Sequence, residues 1–190
     1  WSGPLKYETR GSLEELAPLR LHQLLGVDEQ KNLDALKDVR IAGQWQLRGQ
    51  GAQALYGDVQ ASIREQVPAG RRKRLGLRDN NGLALRFDER KLNGKVNLDI
   101  VSLELVNLFT GPDMAVDGSL KVDGTVAGTL DAPLVDLAVT GKDLSVLQRS
   151  AGMRLSGGEL DAHLSGHGLQ IKRLKFHTGQ GSLQLKGAAR

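Results

Sequence analysis

The chain has 190 residues, of which 39% are hydrophobic but only 4% aromatic, so aliphatic side chains supply nearly all of its apolar surface. Its formal net charge is +4, with acidic and basic residues interspersed, which is not the profile of a dedicated nucleic-acid-binding protein. It contains no cysteine, so a mini-domain stapled by disulfides is excluded.

The first predicted element is an amphipathic helix near the N-terminus. Ser12 and Glu15 have the spacing of a capping box, and the leucines that follow give an approximately helical stripe. We therefore predict a helical insertion over residues 12–37, with its main helix between residues 12 and 26. We interpret the whole of residues 1–190 as a fragment of a longer β domain, in which residues 38–190 form the sheet.

The rest of the chain alternates between apolar and polar residues with the period of a β-strand. Val39, Ile41, Gly43, Trp45 and Leu47 form one such apolar series. Further series follow at 55–63, 83–87, 92–100, 135–139, 160–164, 169–176 and 183–185, separated mostly by glycine or Asp/Asn breaks. The 24 glycines, well above the usual ~7%, indicate many turns and strand kinks. This density of strands is typical of an all-β protein.

The longest alternating series lies in residues 114–134. Its even positions are apolar or glycine, while its odd positions are mostly polar, including Asp117, Lys121 and Asp123. One face of this strand is therefore predicted to be dry and the other wet. What the dry face covers is the central functional question, because few aromatic rings are present to fill a β core.

Several stretches resemble TamB proteins and related AsmA-like proteins. Residues 118–133 (GSLKVDGTVAGTLDAP) are similar to a recurring phrase of that family, a polar-aliphatic strand followed by Gly-Thr-hydrophobic and a proline. Residues 155–162 (LSGGELDA) resemble its strand entry, and residues 169–174 and 179–187 resemble its closing phrase. Residues 11–19 also resemble a helix-bearing segment of these proteins.

The resemblance implies a fold and a role. TamB-like proteins are anchored in the inner membrane of Gram-negative bacteria and cross the periplasm, so a periplasmic location is expected. The implied fold is an elongated antiparallel sheet curled into an open tube with an apolar interior. The implied partner is a TamA-like barrel in the outer membrane, reached through other parts of a longer protein. The implied role is outer-membrane protein assembly, phospholipid transport between the two membranes, or both.

A dry groove of aliphatic side chains and glycine suits an apolar occupant. A phospholipid acyl chain gains about 0.8 kcal/mol for each CH₂ that it buries. A strand of an unfolded outer-membrane protein is the other expected occupant, by pairing with a sheet edge. We predict that the lining is formed by Val116, Leu120, Val122, Val126, Leu130, Leu160, Leu164, Ile171, Phe176, Leu183 and Leu185.

Two other interpretations stay open. Without the resemblance, the core of a closed sandwich is the favoured explanation of the same dry face, since most alternating strands line ordinary cores. With the resemblance, the groove is favoured. The whole chain also fits a generic structural or adhesion module of a secreted β-solenoid protein.

The basic run Arg71, Arg72, Lys73 and Arg74 has two interpretations as well. It predicts contact with phospholipid headgroups or with the phosphates of lipopolysaccharide, because cationic side chains bind phosphate strongly. The alternative is a charged hairpin tip that keeps the strands soluble.

The sequence predicts no enzyme activity and no cofactor. His163, His167 and His177 are close in sequence, but no cysteine joins them and they have no helical His-x-x-x-His context, so solvated histidines are favoured over a metal site. A Ser/His/Asp signature, a P-loop and a dinucleotide-binding fingerprint are all missing from the sequence.

Overall fold

The computed structural model describes residues 5–18, 36–51, 54–73, 75–103, 107–110, 112–178 and 181–189. These residues form ten strands and one helix of four residues, so the prediction of a mainly β protein is confirmed. The strands are β1 (Lys6–Leu16), β2 (Val39–Gln50), β3 (Ala54–Glu65), β4 (Gly82–Asp88), β5 (Lys91–Ile100), β6 (Met114–Gly128), β7 (Pro133–Gln148), β8 (Met153–Ser165), β9 (Gly168–Thr178) and β10 (Gly181–Ala189), and the helix α1 (Asn107–Thr110) lies between β5 and β6.

The strands form one sheet in the order in which they occur in the chain, each antiparallel to the next. Several connections are tight turns, such as those between β4 and β5 and between β8 and β9. Within the described residues β1 pairs with β2 alone and β10 pairs with β9 alone. The sheet is therefore an open meander with two edges.

One rung of side chains can be followed across all ten strands. It contains Leu13, Gly43, Ala61, Leu83, Val96, Gly124, Leu137, Leu164, Leu169 and Ala189. Every member of this long rung is apolar or glycine. Because directly opposed residues in an antiparallel pair point to the same side, the long rung defines an apolar face of the sheet.

The neighbouring rung lies on the opposite side and defines the polar face. It contains Ser12, Gln44, Gln60, Ala84, Lys95, Thr125, Asp136, Ser165 and Gly168. Polar contacts link neighbouring strands on this face, such as the ion pair of Arg86 with Asp58 at 3.2 Å. Exposed pairs of this kind contribute about 0–1 kcal/mol each, so their main effect is to favour the correct register and face.

Two connecting segments cover the apolar face at one end of the strands. In the segment between β3 and β4, the described residues 66–73 and 75–81 place Leu75 and Leu77 against Val39 of β2. In the segment between β5 and β6, the described residues 101–103, 107–110 and 112–113 place Leu103 among side chains of β7 and β9. We call these two segments the cover segments. They supply the second layer that a single sheet needs in order to bury a core.

The N-terminal part of the predicted helical insertion is wrong, because residues 12–16 belong to strand β1. Ser12 pairs with Gln44 and Leu13 pairs with Gly43 of β2. Glu15 does not cap a helix: its backbone has a φ of 56° at a register shift, and its carboxylate pairs with Arg64 at 2.6 Å. The sheet therefore begins at Lys6 and not at residue 38, while residues 19–35 of the predicted insertion lie outside the described residues.

Gly57 and Gly43 provide a matched test of this sheet. Gly57 has a φ of 128°, and a Cβ added there would collide with the carbonyl oxygen of Gln46. We expect Gly57→Ala to lower the free energy of unfolding by more than about 1 kcal/mol. At Gly43 the nearest heavy atom to an added Cβ is the Gln60 carbonyl oxygen at 3.4 Å. Gly43→Ala should therefore change the free energy of unfolding much less. Denaturant unfolding of both variants measures the difference, and equal losses would contradict this register.

Candidate functional site

The predicted lining residues fall on the apolar face, with one exception. Val122, Val126 and Leu164 share rungs with apolar partners on the neighbouring strands. Leu130 lies beyond the end of β6, is 44% exposed, and its N–H donates to the carbonyl oxygen of Arg90 at 3.0 Å. The alternation of sides within β6 therefore does not place Leu130 on the apolar face.

Four of the predicted lining residues lie beneath a cover segment. Phe176 is buried in one cluster with Leu103 and Leu144. Val116, Leu120 and Leu160 pack against this cluster. Phe176 is therefore part of a buried cluster, and the other three side chains pack against this cluster while keeping intermediate exposure.

The remaining lining residues lie outside both buried clusters. Val122, Val126, Leu164 and Ile171 keep intermediate exposure although they lie in interior strands of the sheet. Leu183 and Leu185 of β10 are 50% and 49% exposed. The apolar face is thus divided into a covered part at one end of the strands and an uncovered part over the rest.

We call three neighbouring rungs of the uncovered part the open rungs. The middle one is the long rung, which crosses all ten strands. On the covered side of it lies the rung of Leu98, Val122, Val139, Ala162, Ile171 and Gly187. On its other side lies the rung of Gly11, Trp45, Val59, Leu85, Gly94, Val126 and Val135.

Asparagine side chains attach both cover segments to the sheet. Asn81 is only 1% exposed, and its Nδ2 donates to the Asp99 carbonyl oxygen at 2.8 Å while its Oδ1 accepts from the Asp99 N–H at 2.6 Å. Asn107 does the same with Val116, at 3.0 Å to the carbonyl oxygen and 2.6 Å from the N–H. Each amide imitates the backbone of a neighbouring strand, because it presents a donor and an acceptor side by side. Sequence reasoning missed both residues.

Glu65 fixes the first cover segment by a second contact. The residue is only 3% exposed. Both of its carboxylate oxygens accept a hydrogen bond from the Leu75 N–H, each at 3.1 Å. A buried carboxylate is tolerated where it accepts such hydrogen bonds. The contact holds Leu75 in place over the apolar face.

The basic run lies in the first cover segment. Arg71 and Arg72 are exposed, whereas the Lys73 ammonium donates to the Leu77 carbonyl oxygen at 3.0 Å and to Asp79 at 3.2 Å. Arg74 lies outside the described residues. Two of the four predicted headgroup contacts are thus solvent-facing cations above the covered end of the sheet, and Lys73 stabilises its own loop.

The polar face carries several shallow cavities. One of about 530 Å³ has a floor of small residues that includes Ala42, Ser62 and Gly82, with Gln44 and Lys95 at its border. A hydrogen bond to Asp123 and the charge of that carboxylate raise the pKa of Lys121 on this face. Within the part of the chain that the structure describes, no three His, Asp or Glu side chains are grouped so that they could hold a metal ion.

No family model, curated protein or solved structure matches this chain. The fold itself defines the class of protein: an all-β chain built on one open ten-stranded antiparallel meander, with one apolar and one polar face. Among the described residues, no helix has both the length and the apolar composition needed to cross a membrane.

Leu120 and Leu164 test the division of the apolar face. Leu120 packs beneath the Leu103 cluster, so Leu120→Arg should bury an unpaired charge and lower the free energy of unfolding by several kcal/mol. Leu164 lies on an open rung, from which a carboxylate can reach water, so Leu164→Glu should cost much less. Denaturant unfolding measures both. If Leu164→Glu lowers the free energy of unfolding as much as Leu120→Arg does, the open rungs also belong to a closed core.

Asp113 gives the covered end a dependence on pH. Its carboxylate accepts from the Ser150 hydroxyl at 2.6 Å and from the Ser150 N–H at 2.7 Å, and these hydrogen bonds lower the pKa of Asp113. The stabilisation is therefore present above the ordinary carboxyl pKa of about 3.9 and is lost as the pH falls through the lowered value.

We expect Asp113→Asn to lower Tm at pH 7, and the difference from wild type to shrink as the medium becomes strongly acidic. In a Ser150→Ala background the same substitution should change Tm less at pH 7, because the hydroxyl donor is gone. Thermal unfolding followed over a pH series measures both effects. A difference that does not change with pH would contradict the role of this carboxylate.

Proposed function

We propose that the open rungs form an acyl-binding groove in a TamB-like periplasmic protein, which supports phospholipid transport between the inner and outer membranes. The observation that carries this proposal is the uncovered set of apolar rungs, which lies outside both buried clusters. The groove needs no catalytic residue, metal or cofactor, because its occupant is held by burial of apolar surface.

The size of the uncovered surface favours a ligand site. Nine strand spacings of about 4.8 Å make the long rung about 43 Å long, and three rungs span about 14 Å along the strands. The open rungs therefore occupy a footprint on the order of 600 Å² of the sheet, comparable in size to the largest apolar patches of typical monomers. An acyl chain that lies along a rung would gain about 0.8 kcal/mol per buried CH₂.

The resemblance of residues 114–190 to TamB proteins supports the location and the partner. On this proposal the sheet curls around its apolar face into an open tube, and the chain works in the periplasm as part of an inner-membrane-anchored protein. A TamA-like barrel in the outer membrane is its partner. Arg71, Arg72, Lys73 and Arg74 contact lipid phosphates beside the groove.

A second candidate function is the assembly of outer-membrane proteins, which the same resemblance implies. A strand of an unfolded outer-membrane protein would pair with an edge of the sheet by β-augmentation.

The antiparallel meander favours both candidates over a secreted β-solenoid module. Parallel β-helices stack short repeats of fixed period. Here consecutive strands are antiparallel and differ in length from seven residues in β4 to sixteen in β7. The sheet is therefore built from antiparallel hairpins and not from the stacked repeats of a β-solenoid.

Photo-crosslinking in cells tests the groove. A photo-crosslinking residue at Val122 or Leu164 should label phospholipid, while the same residue at Lys121 or His163 on the polar face should not. Lys121 and His163 are matched controls, because each directly neighbours a test position in the same strand. Equal labelling from both faces, or no labelling from the apolar face of a folded protein, would overturn the lipid groove.

A further inference from the structure

The boundary between the covered and uncovered parts of the apolar face follows a single rung. Ile100, Leu120, Leu160 and Leu174 are consecutive members of one rung, and all four pack against the Leu103 cluster. The next rung, which includes Val122 and is only two residues further along each strand, lies outside both clusters. The packing against the Leu103 cluster therefore ends within one step along the strands, although the residues of both rungs have mainly intermediate exposure and Ala162 of the next rung is buried.

The cover segments meet the sheet through the same kind of surface that an acyl chain offers. Leu75, Leu77 and Leu103 are the buried contacts, and all three are aliphatic. The outer side of the first segment carries the exposed cations Arg71 and Arg72. The chain thus places its own aliphatic side chains on the part of the apolar face that continues the open rungs.

One side-chain amide joins each cover segment to the sheet. Asn107 joins the second segment to β6 at Val116, which packs against the Leu103 cluster. Asn81 joins the first segment to β5 at Asp99, and Glu65 holds Leu75 of the same segment. A single substitution at either asparagine removes both hydrogen bonds of its amide without changing the aliphatic side chains.

We infer that the cover segments are a stopper that sets the extent of the acyl-binding site, with Asn81 and Asn107 as its positioning residues. This inference rests on the proposed function. The stopper excludes acyl chains from the rung of Leu120 and Leu160 and restricts them to the open rungs. Loss of the Asn107 amide loosens the second cover segment and extends the site onto the rung of Leu120 and Leu160, while loss of the Asn81 amide loosens the first segment over Ile63.

The test uses the whole chain and vesicles of phosphatidylglycerol and phosphatidylethanolamine, in which some lipid carries a diazirine in its acyl chain. After irradiation, residue-level mass spectrometry locates the labelled side chains. In the wild type we expect labels at Val122 and Leu164 and none at Leu120 or Leu160. This readout leaves every apolar residue unchanged.

Asn107→Ala should gain labels at Leu120 and Leu160, and Asn81→Ala should gain a label at Ile63, while both variants retain the label at Leu164. Asn80→Ala is the matched control, because Asn80 is exposed and directly precedes Asn81, and its pattern should equal that of the wild type. Circular dichroism establishes that each variant is folded.

The outcomes separate the two proposals. Absence of label from the whole apolar face of the folded wild type overturns the proposed groove. Equal labelling of Leu120 and Leu164 in the wild type supports the groove but overturns the stopper. An unchanged pattern in both folded asparagine variants overturns their role as positioning residues. If a variant does not fold, the wild-type pattern alone still decides whether the stopper excludes lipid.

Discussion

Every functional feature of this protein depends on the pairing register of its strands. Side chains alternate sides with a period of two, so a slip of one residue between two strands would transfer half of the apolar face to the polar side. The register shifts near Leu16, Gly118, Leu144, Gly157 and Lys172 all lie on the covered side of the long rung. From that rung to the opposite end of the strands, the pairing between neighbours continues without a shift.

Most of these shifts lie in strands whose residues pack around Leu103. Bulges bend a strand and increase its local twist. They occur where Leu103, Leu144 and Phe176 must be brought together beneath a connecting segment. Irregular pairing accompanies the Leu103 cluster, whereas β2 and β3 pair without a shift beneath Leu75 and Leu77.

Much of the sheet can be predicted from the sequence because strand alternation is a local property. The faces of Val122, Leu164 and Ile171 follow from their neighbours in the chain. The prediction for Leu130 is wrong because β6 ends at Gly128, which has a φ of 93°, so the alternation of sides does not continue to Leu130. The spacing of Ser12 and Glu15 predicts a helix start, but Ser12 lies in β1 because this segment pairs with β2.

The core at the covered end could not be predicted, because it depends on contacts between distant parts of the chain. Leu75 follows directly on a run of four basic residues, a composition typical of an exposed loop, yet it is completely buried. Its burial depends on Val39 and on the Glu65 carboxylate, and both become neighbours only when the sheet has formed. Asn81 and Asn107 likewise look like ordinary turn residues until the strand that each one joins is in place.

The order of the strands has a consequence for how such a chain folds and changes in evolution. Because each strand pairs with the strands before and after it in the chain, the sheet is nearly one-dimensional, like an array of stacked repeats. Folding can start at any hairpin and propagate outward in both directions, without first closing a long loop. Gain or loss of a whole hairpin leaves the direction and face of every other strand unchanged. Duplication of pairs of strands can therefore lengthen the apolar track without redesigning the rest of the sheet.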